Sequence, residues 1–232
     1  MGKIAAIGGS APPCDLQVID TEIVRLTGKE RPKLLYVPAA CGDDLKNFHF
    51  IQNSYGETLG CQLDTLLLLK ESPAKESIRE KVFAADIIYV EGGSITTLMT
   101  SFEHFQMAEV LEAAYRKGVV LAGKSAGAIC WGTFFIENKQ HKISCLGLLD
   151  YVLYPHFDVK GSHEELGAIV AAEDIIGIGI ENHCAVCFKD EEYRVIAANK
   201  DAKAYKVYRG TNVQRMMLDS SSAAKWKSGE DH

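Results

Sequence analysis

The segment from Val119 to Ile129 reads Val-Val-Leu-Ala-Gly-Lys-Ser-Ala-Gly-Ala-Ile. An apolar run typical of a buried strand leads into Gly-x-Ser-x-Gly, and helix-forming residues follow. This order is typical of a nucleophile elbow, in which the serine lies on a tight turn between strand and helix. It predicts Ser125 as a nucleophile, with the main-chain N–H of Ala126 beside it to stabilise negative charge. The alternative interpretation is a simple turn in which Ser125 caps the helix.

Apolar runs of strand length alternate with helical patterns on both sides of this segment. The early runs are continuous, as expected of parallel strands that helices cover on both faces. Repeated strand–helix order therefore predicts a doubly wound, mostly parallel sheet. The predicted strands are Lys3–Ile7, Lys33–Val37, Leu63–Leu69, Asp86–Val90, Val119–Leu121, Val152–Tyr154, Ile175–Ile180, Ala185–Phe188, Tyr193–Ala197 and Tyr205–Tyr208, and the predicted helices are Leu16–Leu26, Leu45–Leu59, Ile78–Phe83, Ile95–Met99, Met107–Lys117, Ala126–Thr133 and His163–Ala171.

The last third of the sequence is richer in short strands, and a hairpin is expected to turn at residues 189–192. No linker-like segment divides the chain, so we expect one domain over residues 1–218. Residues 219–232 combine serines and mixed charge with little apolar content. They predict a disordered C-terminal tail.

Composition excludes several classes of protein. The chain has 232 residues, of which 47% are hydrophobic and 24% charged, and its formal net charge is −6. Since phosphate binding needs clustered cations, we expect no nucleic-acid partner. No apolar stretch approaches the ~20 residues of a membrane helix. The apolar start is short and broken by glycines, so it predicts a first strand rather than a signal peptide. We expect a cytoplasmic protein without a membrane partner, either a monomer or a homodimer.

The seven cysteines are scattered and odd in number, which argues against a disulfide framework. Cys184-x-x-Cys187 is the one pair with metal-like spacing. Structural zinc takes four ligands, and the residues around this pair favour a strand. We predict neither a metal nor another cofactor.

A second glycine turn, Glu91-Gly92-Gly93-Ser94, follows the predicted strand Asp86–Val90. The carboxyl ends of parallel strands meet at one edge of a sheet, so an N–H from Gly93 could face Ser125. The competing interpretation is a phosphate-binding loop. This turn lacks both the Gly-x-Gly-x-x-Gly spacing and a Walker lysine, as does Gly8-Gly9-Ser10.

A nucleophilic serine needs a base, and His156 is the best placed of the seven histidines. It follows the short strand Val152–Tyr154 in the sequence Tyr-Pro-His-Phe, which suits a base that comes after the serine in the chain. His183, in Glu-Asn-His, is the rival candidate.

These motifs together resemble peptidase family S51, the serine peptidases that include aspartyl dipeptidases and cyanophycinases. The likeness extends from Lys3 to about Phe188 and is most specific at residues 88–98, 119–130 and 153–158. It implies a class I glutamine amidotransferase-like fold, a three-layer α/β sandwich with a mostly parallel central sheet. It also implies Ser125 as nucleophile, His156 as base, and the N–H groups of Gly93 and Ala126 as the oxyanion hole.

The resemblance further implies an acidic third residue in the segment Gly179-Ile180-Glu181-Asn182. The family often has the acid at the second position after the apolar residue, where this chain has Asn182. We choose Glu181 to orient His156, with Glu137, Asp158 and Asn182 as alternatives.

The resemblance implies a small peptide as substrate, cleaved by a dipeptidase or exopeptidase. Preference for an acidic N-terminal residue would need a cation, best supplied by arginine. Between Phe157 and Phe188 the sequence offers only Lys160, and Lys124 in the elbow is the other candidate. Two competing functions are an esterase of the α/β-hydrolase type and a non-catalytic relative on the same scaffold.

Overall fold

The computed structural model describes residues 2–10, 16–138, 140–189, 192–219 and 224–225. The strands are β1 Lys3–Ile7, β2 Lys33–Val37, β3 Gln62–Thr65, β4 Ile87–Val90, β5 Val120–Lys124, β6 Phe134–Glu137, β7 His141–Ser144, β8 Val152–Tyr154, β9 Gly177–Ile180, β10 Cys184–Lys189, β11 Glu192–Ala197, β12 Ala204–Arg209, β13 Val213–Met217 and β14 Ala224–Lys225. The α-helices are α1 Gln17–Thr27, α2 Phe48–Ile51, α3 Leu68–Glu71, α4 Lys75–Ala84, α5 Ile95–His104, α6 Met107–Arg116, α7 Ala126–Ile129 and α8 Ser162–Glu173. Two 3₁₀ turns, Ala39–Cys41 and Leu45–Asn47, and a π-helix, Gln52–Thr58, lie between β2 and β3.

The central sheet has eight strands in the order β14-β11-β10-β1-β5-β4-β2-β3. The five strands from β1 to β3 in this order are mutually parallel. The antiparallel strands β10, β11 and β14 extend the sheet beyond β1. The predicted mainly parallel central sheet is confirmed.

Helices cover both faces of this sheet. Ile88 and Val90 of β4 pack in one apolar cluster with residues of α4, α5, α6 and α7. Ile87 and Tyr89 of the same strand pack on the opposite face with residues of α1 and the π-helix. Because successive strand residues point to opposite faces and both faces are buried, the strand sequence is apolar throughout. The result is a three-layer α/β sandwich of the class I glutamine amidotransferase-like type.

A smaller sheet, in the order β13-β12-β9-β8, joins the central one near the end of β1. Its strands β8 and β9 are parallel, with Tyr154 opposite Gly179, so both end at the same edge. Helix α8 packs on this sheet through an apolar cluster that includes Leu166, Val170 and Phe157. The main-chain N–H of His156 donates to the carbonyl of Gly8, 3.1 Å away. The carboxyl ends of β8 and β9 are thereby held against the end of β1.

The structure differs from the prediction at several elements. The helix expected over 45–59 is divided into a 3₁₀ turn, α2 and the π-helix. The strand expected over 63–69 stops at Thr65, because the Asp43 carboxylate accepts hydrogen bonds from the N–H groups of Leu69 and Lys70 and so begins α3. The helix expected over 126–133 ends at Ile129. The hairpin of β6 and β7 was not predicted, since its strands are short and its alternation is weak.

The hairpin expected at 189–192 is confirmed by the pairing of β10 with β11, although residues 190–191 lie outside the described ranges. Most of the tail predicted to be disordered also lies outside them, and within that tail Ala224–Lys225 pairs with β11. One domain over residues 1–218 stays a prediction. Among the described residues, no helix is both long and apolar enough to cross a membrane.

Candidate active site

Ser125 lies between β5 and α7 in a backbone conformation that is rare for a residue with a side chain. Its φ is 55° and its ψ is −115°. Such a conformation costs about 1–3 kcal/mol and persists only where the surroundings impose it. Here the Ser125 N–H donates to the carbonyl of Ile7, 3.0 Å away, and its own carbonyl accepts from the N–H groups of Ala128 and Ile129. The turn has the nucleophile-elbow geometry that the sequence predicted.

The two glycines of Gly-x-Ser-x-Gly are needed because main chain approaches both of them closely. A Cβ atom at Gly123 would lie 2.0 Å from the carbonyl oxygen of Gly127. A Cβ atom at Gly127 would lie 2.1 Å from the carbonyl oxygen of Val90. The elbow is therefore packed directly against the end of β4, as the strand–turn–helix motif requires.

The imidazole of His156 lies beside the Ser125 hydroxyl. The distance from His156 Nε2 to Ser125 Oγ is 2.9 Å, within ordinary hydrogen-bond reach. His156 has a φ of 52°, which turns its side chain out of the end of β8 towards β5. In the rival candidate, His183, the main-chain N–H donates a hydrogen bond to the carbonyl of Gly9. The structure thus brings together Ser125 and His156 as expected.

Asn182, rather than Glu181, contacts the other nitrogen of His156. The distance from His156 Nδ1 to Asn182 Oδ1 is 2.8 Å. Glu181 points the other way, and its Oε2 accepts the N–H of Lys203 at 2.9 Å. The choice of Glu181 was wrong because side-chain alternation continues past Ile180, the end of β9, so neighbouring residues face opposite directions. Glu137 lines the same cavity as His156, but its carboxylate accepts a hydrogen bond from Thr96 Oγ1.

Asp158 fixes which way the Asn182 amide points. Asn182 Nδ2 lies 3.0 Å from each carboxylate oxygen of Asp158, and the Asn182 main-chain N–H donates to Asp158 Oδ1 at 2.9 Å. An ionised carboxylate can only accept, so the amide nitrogen must face Asp158 and the amide oxygen must face His156. The His156 Nδ1 must then carry a proton. Its Nε2 is left free to accept the proton of Ser125.

The charge of Asp158 is stable at neutral pH. Burial acts to raise the pKa of this carboxyl, but hydrogen bonds from the main-chain and side-chain N–H groups of Asn182 outweigh burial and hold the pKa below its ordinary value. Asp158 therefore stays a pure acceptor over the pH range in which a histidine base works.

Gly93 and Ala126 line the same cavity as Ser125 and His156. Gly93 follows β4 with a φ of 149°, and a Cβ atom there would lie 2.3 Å from the carbonyl oxygen of Ala40. Among the described residues, neither the Gly93 N–H nor the Ala126 N–H has a hydrogen-bond acceptor. Two N–H groups of adjacent turns are thus available beside Ser125 for a ligand oxygen.

Gly9 is a site residue that sequence reasoning missed. Its φ is 151°, and a Cβ atom there would lie 2.3 Å from His156 Cε1 and 2.4 Å from Asn182 Oδ1. The spacing of Gly8-Gly9-Ser10 bears only on phosphate binding, for which it is a poor match. The position of this turn at the end of the first strand was the available signal, since β1 ends at the same sheet edge as β5.

The cavity beside Ser125 has a volume of about 480 Å³. Its lining is mostly apolar, and the charged groups among the described lining residues are Glu137, Lys160 and Glu165. Lys124, by contrast, faces a separate cavity on the other side of the elbow and forms an ion pair with Glu91 at 3.0 Å. It is therefore not placed to hold a substrate carboxylate beside Ser125.

The Cys184-x-x-Cys187 pair does not have the geometry of a metal site. Cys184 packs in the apolar cluster on one face of the central sheet and Cys187 in the cluster on the other. Within the described ranges, no group of three or more histidine, cysteine, aspartate or glutamate side chains could hold a metal ion.

Comparisons with known proteins show the family to which the chain belongs. Residues 4–196 match the model of peptidase family S51. The uncharacterized peptidase YgaJ of Bacillus subtilis (strain 168) is 29% identical over 218 residues, which cover 89% of this chain and 92% of that protein.

Two solved structures share the fold. A peptidase from an acI-B1 actinobacterium matches with a TM-score of 0.75 and 20% identity, and the match covers 97% of each chain. A candidate peptidase E from Listeria monocytogenes EGD-e matches with a TM-score of 0.68 and 17% identity, over 86% of this chain and all of that one. The family match spans most of the sequence, including every residue of the Ser125–His156–Asn182 arrangement, so the chain belongs to peptidase family S51 and is a serine peptidase.

Proposed function

We propose that the protein hydrolyses short peptides through Ser125 as nucleophile and His156 as general base. Asn182 orients the imidazole, and the N–H groups of Gly93 and Ala126 bind the oxyanion. The observation that carries this proposal is the unbroken chain of hydrogen bonds from Ser125 Oγ to His156 and on to Asn182, at 2.9 and 2.8 Å. An acyl-transfer site needs this relation between nucleophile, base and orienting group.

The chemistry follows from the positions of the protons. As Ser125 Oγ attacks the peptide carbonyl carbon, His156 Nε2 takes the hydroxyl proton, and the carbonyl oxygen becomes an oxyanion. The N–H groups of Gly93 and Ala126 stabilise that negative charge. The imidazolium then protonates the leaving amine and the C–N bond breaks, which leaves an acyl-enzyme. Water, deprotonated by the same histidine, hydrolyses the ester and restores Ser125.

The lining of the cavity favours the binding of short peptides that have a neutral residue next to the scissile bond. Its apolar lining includes Ile95, Phe135 and Tyr154. Glu137 and Glu165 place two carboxylates in it against the single ammonium of Lys160. An acidic side chain would meet like charge, which disfavours binding. We therefore propose a dipeptidase or exopeptidase without a preference for an acidic N-terminal residue.

The test is the Ser125→Ala variant together with a fluorophosphonate probe, which labels an activated serine. Removing the nucleophile of a model serine protease costs on the order of a million-fold in kcat, and we expect a loss of at least about ten-thousand-fold here. Folding should be unchanged, because the hydroxyl is half-exposed and not part of the core.

Ser101→Ala is the matched control. Ser101 is a buried serine whose hydroxyl bonds only within α5, so this variant should keep both labelling and turnover. A Ser125→Ala variant with a tenth of wild-type activity would overturn the proposal. Turnover of p-nitrophenyl esters without turnover of any dipeptide would instead identify an esterase, and no labelling of folded wild type would identify a non-catalytic relative.

A further inference from the structure

Glu91 is a buried carboxylate at the edge of the active site that the proposed mechanism does not use. It directly follows β4 and is 2% exposed. Its Oε1 accepts the N–H of Gly92 at 2.8 Å and the ammonium of Lys124 at 3.0 Å. Its Oε2 accepts the hydroxyl of Tyr36 at 3.0 Å. One carboxylate therefore contacts both glycine turns at the sheet edge.

Each of these turns carries one donor of the proposed oxyanion hole. Gly92 precedes Gly93 in the first turn, and Lys124 precedes Ser125 and Ala126 in the second. The turns also touch directly, since a Cβ atom at Gly92 would lie 3.1 Å from Ser125 Cβ. The position of Gly92 relative to the elbow therefore sets the separation of the two donors.

Both carboxylate oxygens of Glu91 have hydrogen-bond donors, and the hydroxyl of Tyr36 is one of them. Burial first, and the neighbouring Glu91 carboxylate second, raise the pKa of Tyr36 far above its ordinary value, so its hydroxyl remains a donor. Buried ion pairs of this kind can often be replaced by apolar residues without loss of stability. Folding alone gives little reason for a charged pair at this place.

We propose that Glu91 is a positioning residue that holds the Gly92–Gly93 turn against the Ser125 elbow and so fixes the geometry of the oxyanion hole. The inference rests on the proposed function of Gly93 and Ala126. The interaction that positions the turn is the hydrogen bond from the Gly92 N–H to a side-chain oxygen of Glu91. The ion pair with Lys124 contributes less to this positioning. Catalytic donors lose effect steeply when they are displaced by as little as about 1 Å.

Two double variants separate the acceptor from the charge. Glu91→Leu/Lys124→Met removes both charges and the acceptor, while Glu91→Gln/Lys124→Met removes the charges and keeps an amide oxygen for Gly92. Loss of a whole oxyanion donor costs about 100- to 1,000-fold in kcat, so we expect about 10- to 100-fold for a displaced one in the leucine variant. The glutamine variant should recover kcat to within about threefold of wild type. KM should change little in both, since the interaction forms in the transition state.

The measurements are dipeptide kcat and KM, the rate of fluorophosphonate labelling, and thermal unfolding. Glu22→Leu is the control, since Glu22 is also buried and ion-paired but lies on α1 away from both turns. It should lose stability and keep kcat. The acid limb of the kcat/KM profile should stay in place in the leucine variant, because His156 is untouched.

The outcomes are distinct. Wild-type kcat in folded Glu91→Leu/Lys124→Met would overturn the inference. So would a loss above about tenfold in the glutamine variant, which also serves as the independent test if the leucine variant does not fold. Failure of the probe to label wild type would instead overturn the proposed function itself.

Discussion

The side chain that orients His156 is an amide, and the negative charge lies one residue further away, on Asp158. A neutral amide oxygen accepts the His156 Nδ1 proton. Asp158 prevents the amide from turning over, because its carboxylate accepts from the amide nitrogen and from the main-chain N–H of Asn182. One residue thus orients His156 and another carries the negative charge. A single carboxylate in contact with His156 would do both.

Replacing Asn182 by the more usual acid should therefore lower activity. Asn182→Asp places a second carboxylate about 3 Å from Asp158, and like charges at that distance cannot both ionise. We expect kcat/KM to fall at least about tenfold, less than the roughly ten-thousand-fold that a wrong histidine tautomer costs in a trypsin-like triad. The measurement is dipeptide kcat/KM at pH 7.

The exchange Asp158→Asn/Asn182→Asp is the control for that loss. It restores one carboxylate and one amide in contact, so kcat/KM should return to within about threefold of wild type if the pair acts as a unit. Glu181→Gln should have no effect on kcat, since Glu181 bonds Lys203. If Glu181→Gln lowers kcat/KM more than Asn182→Asp does, the assignment of Asn182 is wrong.

At the scale of elements, the site depends on how closely the carboxyl ends of five strands approach one another. These strands are β1, β4, β5, β8 and β9. The end of β1 contributes no side chain, yet its Gly8 carbonyl accepts the His156 N–H and its Gly9 carbonyl accepts the His183 N–H. This main-chain clamp joins the small sheet to the central one. Glycines occupy the turn after β1 because a Cβ atom at Gly8 would lie 2.2 Å from the carbonyl oxygen of Glu181, and one at Gly9 would lie 2.3 Å from His156 Cε1.

Gly9→Ala should damage activity far more than stability. The new methyl group would overlap the His156 ring and the Asn182 amide, which must move to admit it. We expect at least about a hundred-fold loss in kcat, because displaced catalytic groups lose rate steeply. Gly118→Ala is the control, since Gly118 has a φ of 91° but open space around it. It should cost about 1 kcal/mol of unfolding free energy and leave kcat unchanged. Equal loss of activity in both variants would contradict the role assigned to Gly9.

Helix α1 is tied to β11 by an ion-pair network whose strength should depend on pH. Glu22 Oε1 accepts from Arg25 and from Arg194 at 2.6 and 2.7 Å. The Arg25 hydrogen bond chiefly, and Arg194 in addition, lower the pKa of Glu22 against the opposing effect of burial. A carboxyl with a lowered pKa stabilises the fold above its ordinary value and loses that contribution as the pH falls through the lowered value.

Glu22→Gln should accordingly destabilise the protein by about 1–2 kcal/mol at pH 7, as expected for lost hydrogen bonds to charged groups. The difference from wild type should shrink as the pH is lowered from 5 to 3, because wild-type Glu22 becomes protonated. Denaturant unfolding at several pH values measures it. A difference that is constant over this range would show that the charge of Glu22 is not responsible.

At the scale of the whole molecule, the balance of charge around the Ser125 cavity should determine which peptides are cleaved. Dipeptides that begin with alanine or leucine should have kcat/KM at least about tenfold above those that begin with aspartate, because like charges across a binding surface disfavour association. Glu165→Gln removes one of the carboxylates, so it should lower the ratio of kcat/KM for the alanine and leucine dipeptides to kcat/KM for the aspartate dipeptides. Glu164→Gln, the adjacent residue of α8 that does not line this cavity, should leave it unchanged. A wild-type preference for aspartate would overturn the selectivity we propose.

The sequence determined the parts of the protein that depend on short-range pattern. Continuous apolar runs predicted the parallel strands, and Gly-x-Ser-x-Gly after a strand predicted the elbow. Ser125 and His156 could be chosen because each follows a recognisable strand, and strand ends converge at one edge of such a sheet. The family resemblance then implied the fold and Gly93 together with Ala126.

Only the tertiary structure decided which neighbours meet across that edge. Glu181 and Asn182 are adjacent in sequence and face opposite directions. Which of them faces His156 depends on how β9 pairs with its neighbours, which no local pattern marks. Lys124 and Glu91 look like unrelated polar residues until β4 and β5 bring them within 3.0 Å. Gly9 likewise acquires a role only from what packs against it. Sequence patterns record the environment of a residue along its own element, whereas these contacts join different elements and arise when the strands pair.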